Sequence, residues 1–322
     1  MKNILASFVA GVLLVFAGAA PAQDFPAKPI RIVIPFPPGG GVDVAARLLT
    51  IKMTERLGWQ FIVDNRPGGN GFIAATNVAK SAPDGYSLFM AHVGEFAINP
   101  AIFPNIPYEL ERDFVPVTLV SDAPMVYIVN AQTPYSSLRD VVAAAKAKSG
   151  AIAYSSAGNG SLNHLAAEWL SQVAGVKFIH VPYKGGAAAA AAVAAGDVQF
   201  GVSSIPGATP HIKSGRVKVL AVTTGKRSPH QPDWATPAEL GIGDVDASFW
   251  SGLFAPKGTP QAIVDRIDQG VRQTLQQPDV RQRYADAGFE AVGASSQEFL
   301  ARIKRDAARF KAVVQSAGIK SE

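Results

Sequence analysis

The sequence predicts an α/β chain of two lobes around a central cleft, on three observations. Short β-branched runs alternate with segments of helical period along most of the chain. Its 322 residues, 48% hydrophobic and 17% charged, suit two medium domains better than one. A strand that breaks into a glycine-rich loop and then a helix occurs early, at Ile30 to Asp43, and again at Ile152 to Leu162.

The first 22 residues read as a secretory signal. Lys2 precedes a charge-free run from Ile4 to Ala20, and Ala20-Pro21-Ala22 supplies the small residues a signal peptidase accepts. An uncleaved anchor is the competing reading, but the glycine- and alanine-rich core falls short of the roughly 20 strongly apolar residues of a stable span. With no cysteine there is neither a disulfide framework nor a lipid-modified cysteine. Cleavage removes Lys2 and leaves 29 basic against 25 acidic residues, a mild excess of four. It is scattered, so it favours a small anionic ligand over nucleic acid.

Ile30 to Ile34 is a short buried strand, and Pro35-Phe36-Pro37-Pro38-Gly39-Gly40-Gly41 ends it. The helix beyond has Ala45, Leu48, Leu49 and Met53 on one face, with Asp43 placed to cap its first turn. N–H groups converging at such a helix start attract carboxylate or phosphate; a plain strand-to-helix turn is the rival. Gln60 to Asp64 is the second strand, and Phe72 to Lys80 the second helix. Gly69, Gly71 and Ala74 satisfy G-x-G-x-x-A, but the following strand, Ser87 to Ala91, ends in His92 where a dinucleotide site needs an acid. The loop from His92 to Glu95 leaves the carboxyl end of that strand and is a second site candidate.

Asn99 to Asp113 reads as irregular. Phe114 to Val120 and Met125 to Val129 are apolar runs split by Ser121-Asp122-Ala123-Pro124, either a crossing between lobes or a kinked edge strand. A helix over Ser137 to Lys148 and a strand over Ile152 to Ser155 lead to Ser156-Ala157-Gly158-Asn159-Gly160-Ser161, with Ser161 as cap of the next helix. Phe178 to Val181 is a strand, Ala187 to Ala195 a low-bulk helix, Val198 to Val202 a strand with Ser203-Ser204 as its polar exit, and Pro210 to Ser214 a short helix. Val217 to Thr223 returns towards the first lobe. After a long loop, Phe249 to Ala255 is the last strand, and Thr259 and Pro260 open a helix to Gln276. Asp279 to Ala287 and Gln297 to Ser316 are amphipathic helices packed on the first lobe.

Catalytic patterns are missing. Ser161 lacks the G-x-S-x-G elbow, Gly225-Lys226 lacks the rest of a phosphate loop, and five histidines without H-x-x-x-H spacing or cysteine partners make no zinc site. No enzyme activity, cofactor or metal is expected. His164, one turn beyond Ser161, either faces the second loop or serves the structure.

Taken together, Pro35-Phe36-Pro37-Pro38-Gly39-Gly40-Gly41-Val42-Asp43, Asp64-Asn65-Arg66-Pro67-Gly68, Ala82-Pro83-Asp84-Gly85-Tyr86, Ala157-Gly158-Asn159-Gly160-Ser161, His180-Val181-Pro182-Tyr183-Lys184-Gly185 and Phe254-Ala255-Pro256-Lys257-Gly258-Thr259-Pro260 follow one another in order. In these the chain resembles, over its whole length, the periplasmic solute receptors of tripartite tricarboxylate transporters, also called Bug receptors. The resemblance implies a type II periplasmic binding protein: two α/β lobes joined by crossing hinge strands around a central ligand cleft. The first lobe is expected over residues 23–124 and 225–322, the second over 125–224. It implies capture of a small organic anion, a carboxylate or dicarboxylate that could be amino-substituted, by a monomer that delivers it to membrane transporter subunits. Presentation to a membrane sensor is the alternative, and an enzyme on the same fold a third reading.

Carried over by matching position, the ligand site is Phe36, Gly39 and Gly40 in the first lobe and Ser155, Ala157, Asn159 and Ser161 in the second, with Asp43 as support. Where the family has small hydroxyl residues after the third strand, this chain has His92 and Glu95; Gln199 and Ser203 also depart. Either His92 or Glu95 reads the far end of the ligand, or both point to solvent at the rim. Ser203 is included among the contacts.

Overall fold

The computed structural model describes residues 25–320. The expected signal segment, residues 1–22, lies outside the described residues. Among the described residues no helix is long and apolar enough to cross a membrane.

Along the chain the strands are β1 (Ile30–Ile34), β2 (Phe61–Asn65), β3 (Ser87–His92), β4 (Phe114–Asp122), β5 (Met125–Asn130), β6 (Ala153–Ser156), β7 (Ile179–Pro182), β8 (Phe200–Ser204), β9 (Val217–Val222), β10 (Ser251–Pro256) and β11 (Glu290–Ala294). The helices are α1 (Gly41–Leu57), α2 (Phe72–Ala79), α3 (Asn99–Ile102), α4 (Leu110–Asp113), α5 (Leu138–Ala147), α6 (Leu162–Ala174), α7 (Gly186–Ala195), α8 (Ile205–Lys213), α9 (Gln261–Leu275), α10 (Pro278–Asp286) and α11 (Ser296–Ala317).

These strands form two sheets, ordered β11-β4-β10-β3-β1-β2 and β7-β6-β8-β5-β9. The first draws on both ends of the chain and the second on its middle. In the first, β1 lies between parallel partners β2 and β3, and β10 runs antiparallel beside β3. The second repeats this plan, with β6 between parallel β7 and β8 and antiparallel β5 beside β8. Thus β1 and β6 hold equivalent places, and so do the loops that leave their carboxyl ends. Strand β1 is covered on both faces, with Ile30, Ile32, Val33 and Ile34 at most 2% exposed, the burial expected of a parallel strand under helices.

The sheets are joined where the chain passes from β4 to β5 and where it returns after β9. These crossings bond to a third segment, 247–249. Ala123 and Phe249 exchange backbone hydrogen bonds of 3.0 and 2.7 Å, Thr223 N–H donates to the Met125 carbonyl at 2.9 Å, and Ala247 N–H donates to the Thr223 carbonyl at 2.8 Å. The break at Ser121 to Pro124 is therefore a crossing rather than a kinked edge. Beside it, Arg302 of α11 holds Asp122 at 3.0 Å and Asp306 at 2.7 Å, and Asp306 also accepts from the Trp250 indole at 2.9 Å.

Several local expectations change. Glu290–Ala294 forms an edge strand on β4 that the sequence reading missed. Residues 99 to 113 contain the short helices α3 and α4, so they are not irregular throughout. The helix expected at Pro210 begins earlier, at Ile205, capped by the Ser204 hydroxyl, with Pro210 inside it. The cap of α9 is Pro260, while the Thr259 hydroxyl donates to the Pro256 carbonyl at 2.8 Å. Asp43 lies inside the first turn of α1, whose N-cap is Gly40.

Candidate functional site

A cavity of about 100 Å³ lies between the lobes, bordered by the carboxyl-end loops of both sheets. This is where ligands meet α/β sheets. Four helices of nine residues or more begin at its wall: α1 at Gly40 to Val42, α6 at Ser161, α7 at Gly185 to Ala187, and α8 at Ser204. The first internal bond of α1 runs from Val44 N–H to the Gly40 carbonyl at 3.0 Å, and that of α6 from Leu165 N–H to the Ser161 carbonyl at 3.0 Å. The N–H groups ahead of them have no partner within their helices. Four positive helix ends from two lobes therefore converge on one small space, the electrostatics of an anion site. Lys184, on the loop before α7, adds a full positive charge at the rim.

The first-lobe cradle is braced from behind. Asp43 accepts the Gly39 N–H at 3.0 Å, the Arg47 guanidinium at 3.0 Å and the Asn65 amide at 3.0 Å. Burial works against its charge, but the bonds from Arg47, Gly39 and Asn65 outweigh it and hold the carboxyl below the ordinary range. Asp43 does not border the cavity, in keeping with the supporting role given to it. The second-lobe cradle is held by Ser161, whose hydroxyl donates to the Gly158 carbonyl at 2.7 Å and accepts His164 N–H at 3.3 Å. The His164 Nδ1 accepts Gly160 N–H at 3.1 Å, and its ring stacks on that of His180 at 3.9 Å. Burial pushes the two imidazoles down, His164 to about 3, helped by its neighbour His180, and His180 to about 4. His164 thus serves the structure of the loop.

The sequence-derived residues fall into two groups. Phe36, Gly40, His92, Glu95, Ala157 and Ser161 border the cavity. Gly39, Ser155, Asn159 and Ser203 do not. Gly39 donates to Asp43, Ser155 donates its hydroxyl to the Ala189 carbonyl at 2.9 Å, and the buried Ser203 hydroxyl donates to the Ser204 carbonyl at 3.1 Å. Gln199 is occupied in the sheet, accepting Ala153 N–H at 3.0 Å. Asn159 joins the lobes instead: its carbonyl accepts from the Asn70 side chain at 3.3 Å. Asn70 is held in a left-handed conformation (φ 49°), and its own carbonyl accepts from Asn99 at 2.8 Å.

His92 and Glu95 do not point to solvent, which corrects the rim reading: they are 6% and 0% exposed. His92 Nδ1 lies 2.6 Å from Glu95 Oε2, and the same oxygen accepts the His92 N–H at 2.8 Å. The imidazole packs edge-on against Phe36, 4.8 Å between ring centres, and 5.4 Å from Phe249. Residues that the sequence reading left out also border the cavity, among them Asn70, Asn99, Lys184, Ser204 and Phe249. Gly185-Gly186 and Ser204 carried a signal, each being the start of a helix; Phe249 carried none, because it arrives from the hinge.

A family model described as the tripartite tricarboxylate transporter family receptor matches residues 45–319. Protein BugT of Bordetella pertussis is 35% identical over 324 residues, covering 99% of each chain. Among solved structures, Rpa4515 of R. palustris with adipate superposes at a TM-score of 0.89 with 32% identity, over 92% of this chain and 99% of that one. MatC (Rpa3494) of Rhodopseudomonas palustris with bound malate does so at 0.83 with 31% identity, over 90% of this chain and all of that one.

Proposed function

Because the chain belongs to the tripartite tricarboxylate transporter receptor family, a family of periplasmic solute-binding receptors and not of enzymes, we propose that it captures a small dicarboxylate and delivers it to membrane transporter subunits. In this reading it is exported with cleavage after residue 22 and works as a monomer. Its two lobes, residues 23–124 with 225–322 and residues 125–224, close on the ligand.

The observation that carries the reading is the convergence of four helix N-termini on a cavity of about 100 Å³, which supports a small anion as occupant. Adipate and malate in the related structures support a diacid. Amino substitution of the ligand, the finer expectation, has less support, because neither oxygen of Glu95 faces the cavity free.

Native mass spectrometry of the mature chain, followed by calorimetry with short diacids, tests the proposal; a chain that retains no acid and binds none refutes it. Co-purification with transporter subunits, and not with a sensor ectodomain, tests the delivery step. Lys184→Gln is expected to weaken diacid binding about two- to fivefold, mainly through the association rate and less at high salt, as an exposed steering charge should. An unchanged rate at low salt would remove Lys184 from the site.

A further inference from the structure

The wall at the end of β3 brings two ionisable side chains, His92 and Glu95, to the cavity beside the helix starts. We propose that this wall reads the second acid group of a dicarboxylate, with His92 as the contacting residue and Glu95 as the residue that positions it. The inference rests on the carboxylate reading above and adds the residue that separates diacids from monoacids.

Three features carry it. First, Glu95 has no oxygen to offer a ligand. Its Oε2 is taken twice by His92, from the ring at 2.6 Å and from the backbone N–H at 2.8 Å. Its Oε1 is buried without a partner, so close beneath Gly71 that a methyl group there would come within 2.6 Å of it. Second, the imidazole is fixed in direction. Nδ1 lies against Glu95 and accepts the Gly94 N–H at 3.2 Å, Phe36 and Phe249 pack about the ring, and among the described residues no group bonds Nε2 on its other side. Third, His92 itself borders the cavity, at the carboxyl end of the strand in the first sheet that corresponds to β8, whose exit Ser204 opens a helix onto the same space.

A carboxylate arriving at Nε2 places the ring between two anions, Glu95 and the ligand. The carboxylate there can accept a hydrogen bond from Nε2, the ring nitrogen turned away from Glu95. An ammonium group would meet four positive helix ends, Lys184, and a carboxylate whose oxygens are already withdrawn. The orphan Oε1 costs stability, while Oε2, through its two contacts with His92, holds the ring still. The far end of the cavity is thus selective for a second acid, while the helix starts hold the first.

The test compares adipate with hexanoate, and succinate with butyrate, by calorimetry. The wild-type chain should favour each diacid by about ten- to a hundredfold, the range of one charge-assisted hydrogen bond. His92→Phe keeps an aromatic ring against Phe36 and Phe249, and the double variant His92→Phe/Glu95→Gln leaves no unpaired buried charge. In both, thermal melting checks the fold, and the preference should fall to about one while monoacid binding persists. For Glu95 the readout is the imidazole ¹⁵N spectrum: adipate, but not hexanoate, should move the Nε2 resonance, and Glu95→Gln should weaken that response. Folded variants that keep the wild-type preference, or an Nε2 signal that treats the two acids alike, would overturn the assignment of His92 alone. A wild-type chain that binds none of the four acids would overturn the carboxylate reading and this inference with it.

Discussion

Gly41→Leu is expected to cost about a hundredfold or more in ligand affinity while leaving the chain folded. Gly41 is the first residue of α1 and sits where three parts of the molecule meet. A methyl group on it would approach Phe249 of the hinge segment to 2.9 Å and the Ser204 side chain of the second lobe to 3.5 Å. It is also buried, and its backbone conformation is one that any residue can adopt. The larger side chain therefore acts on the approach of the lobes, either propping α1 away from α8 or driving the Phe249 ring into the cavity. Overpacking of this kind typically costs about 1–3 kcal/mol, and a leucine between two helix starts belongs at the upper end. Opening of the lobes, as the proposed closure requires, would relieve the contact, so thermal stability without ligand should change little. Small-angle scattering should show that saturating adipate contracts the wild-type chain and not the variant. Wild-type affinity in Gly41→Leu would show that closure does not bring these surfaces together.

Strands β1, β4, β5 and β9 were legible because they are runs rich in β-branched residues, a signal that survives without tertiary context. Both cradles were legible because Gly39 to Gly41 and Gly158 to Ser161 each stand between a strand and a helical period. Illegible features depend on partners distant in sequence. The edge strand Glu290–Ala294 is short, partly exposed and glycine-interrupted, and only β4 makes it a strand. Ser155 and Ser203 look like contacts because they end strands at the cleft, yet each hydroxyl is spent on a carbonyl of its own lobe. His92 and Glu95 look like rim residues because an isolated charge belongs in water. They can be buried because Glu95 Oε2 and His92 Nδ1 pair at 2.6 Å, and because a glycine at residue 71 leaves space for the carboxylate.

Acid should destabilise the chain through the second lobe. His164 and His180 stack at 3.9 Å with their planes 9° apart, and Tyr154 continues the stack 5.0 Å from His180. Burial holds both imidazoles below their ordinary value, at about 3 and about 4. Between those values and the roughly 6.5 of an unfolded histidine, the folded chain carries fewer protons than the unfolded one. The stabilisation is therefore complete above about pH 6.5 and is lost as pH falls through the folded values, by roughly 3 kcal/mol or more for the pair. Glu168, which accepts the Tyr154 hydroxyl at 2.7 Å, is pushed up by burial and works in the opposite sense, gaining stability towards acid. Denaturant unfolding between pH 7 and pH 4 should show the net loss. His180→Phe, which keeps the stack but cannot be protonated, should flatten the profile. Protonation also removes the Nδ1 lone pair of His164 that accepts Gly160 N–H at 3.1 Å, and it sets two positive charges behind the loop that holds Ser161. In the folded chain that protonation occurs only near the folded values of about 3 and 4, so ligand affinity should decline at a lower pH than stability does. A profile as steep in His180→Phe as in the wild type would place the acid sensitivity elsewhere.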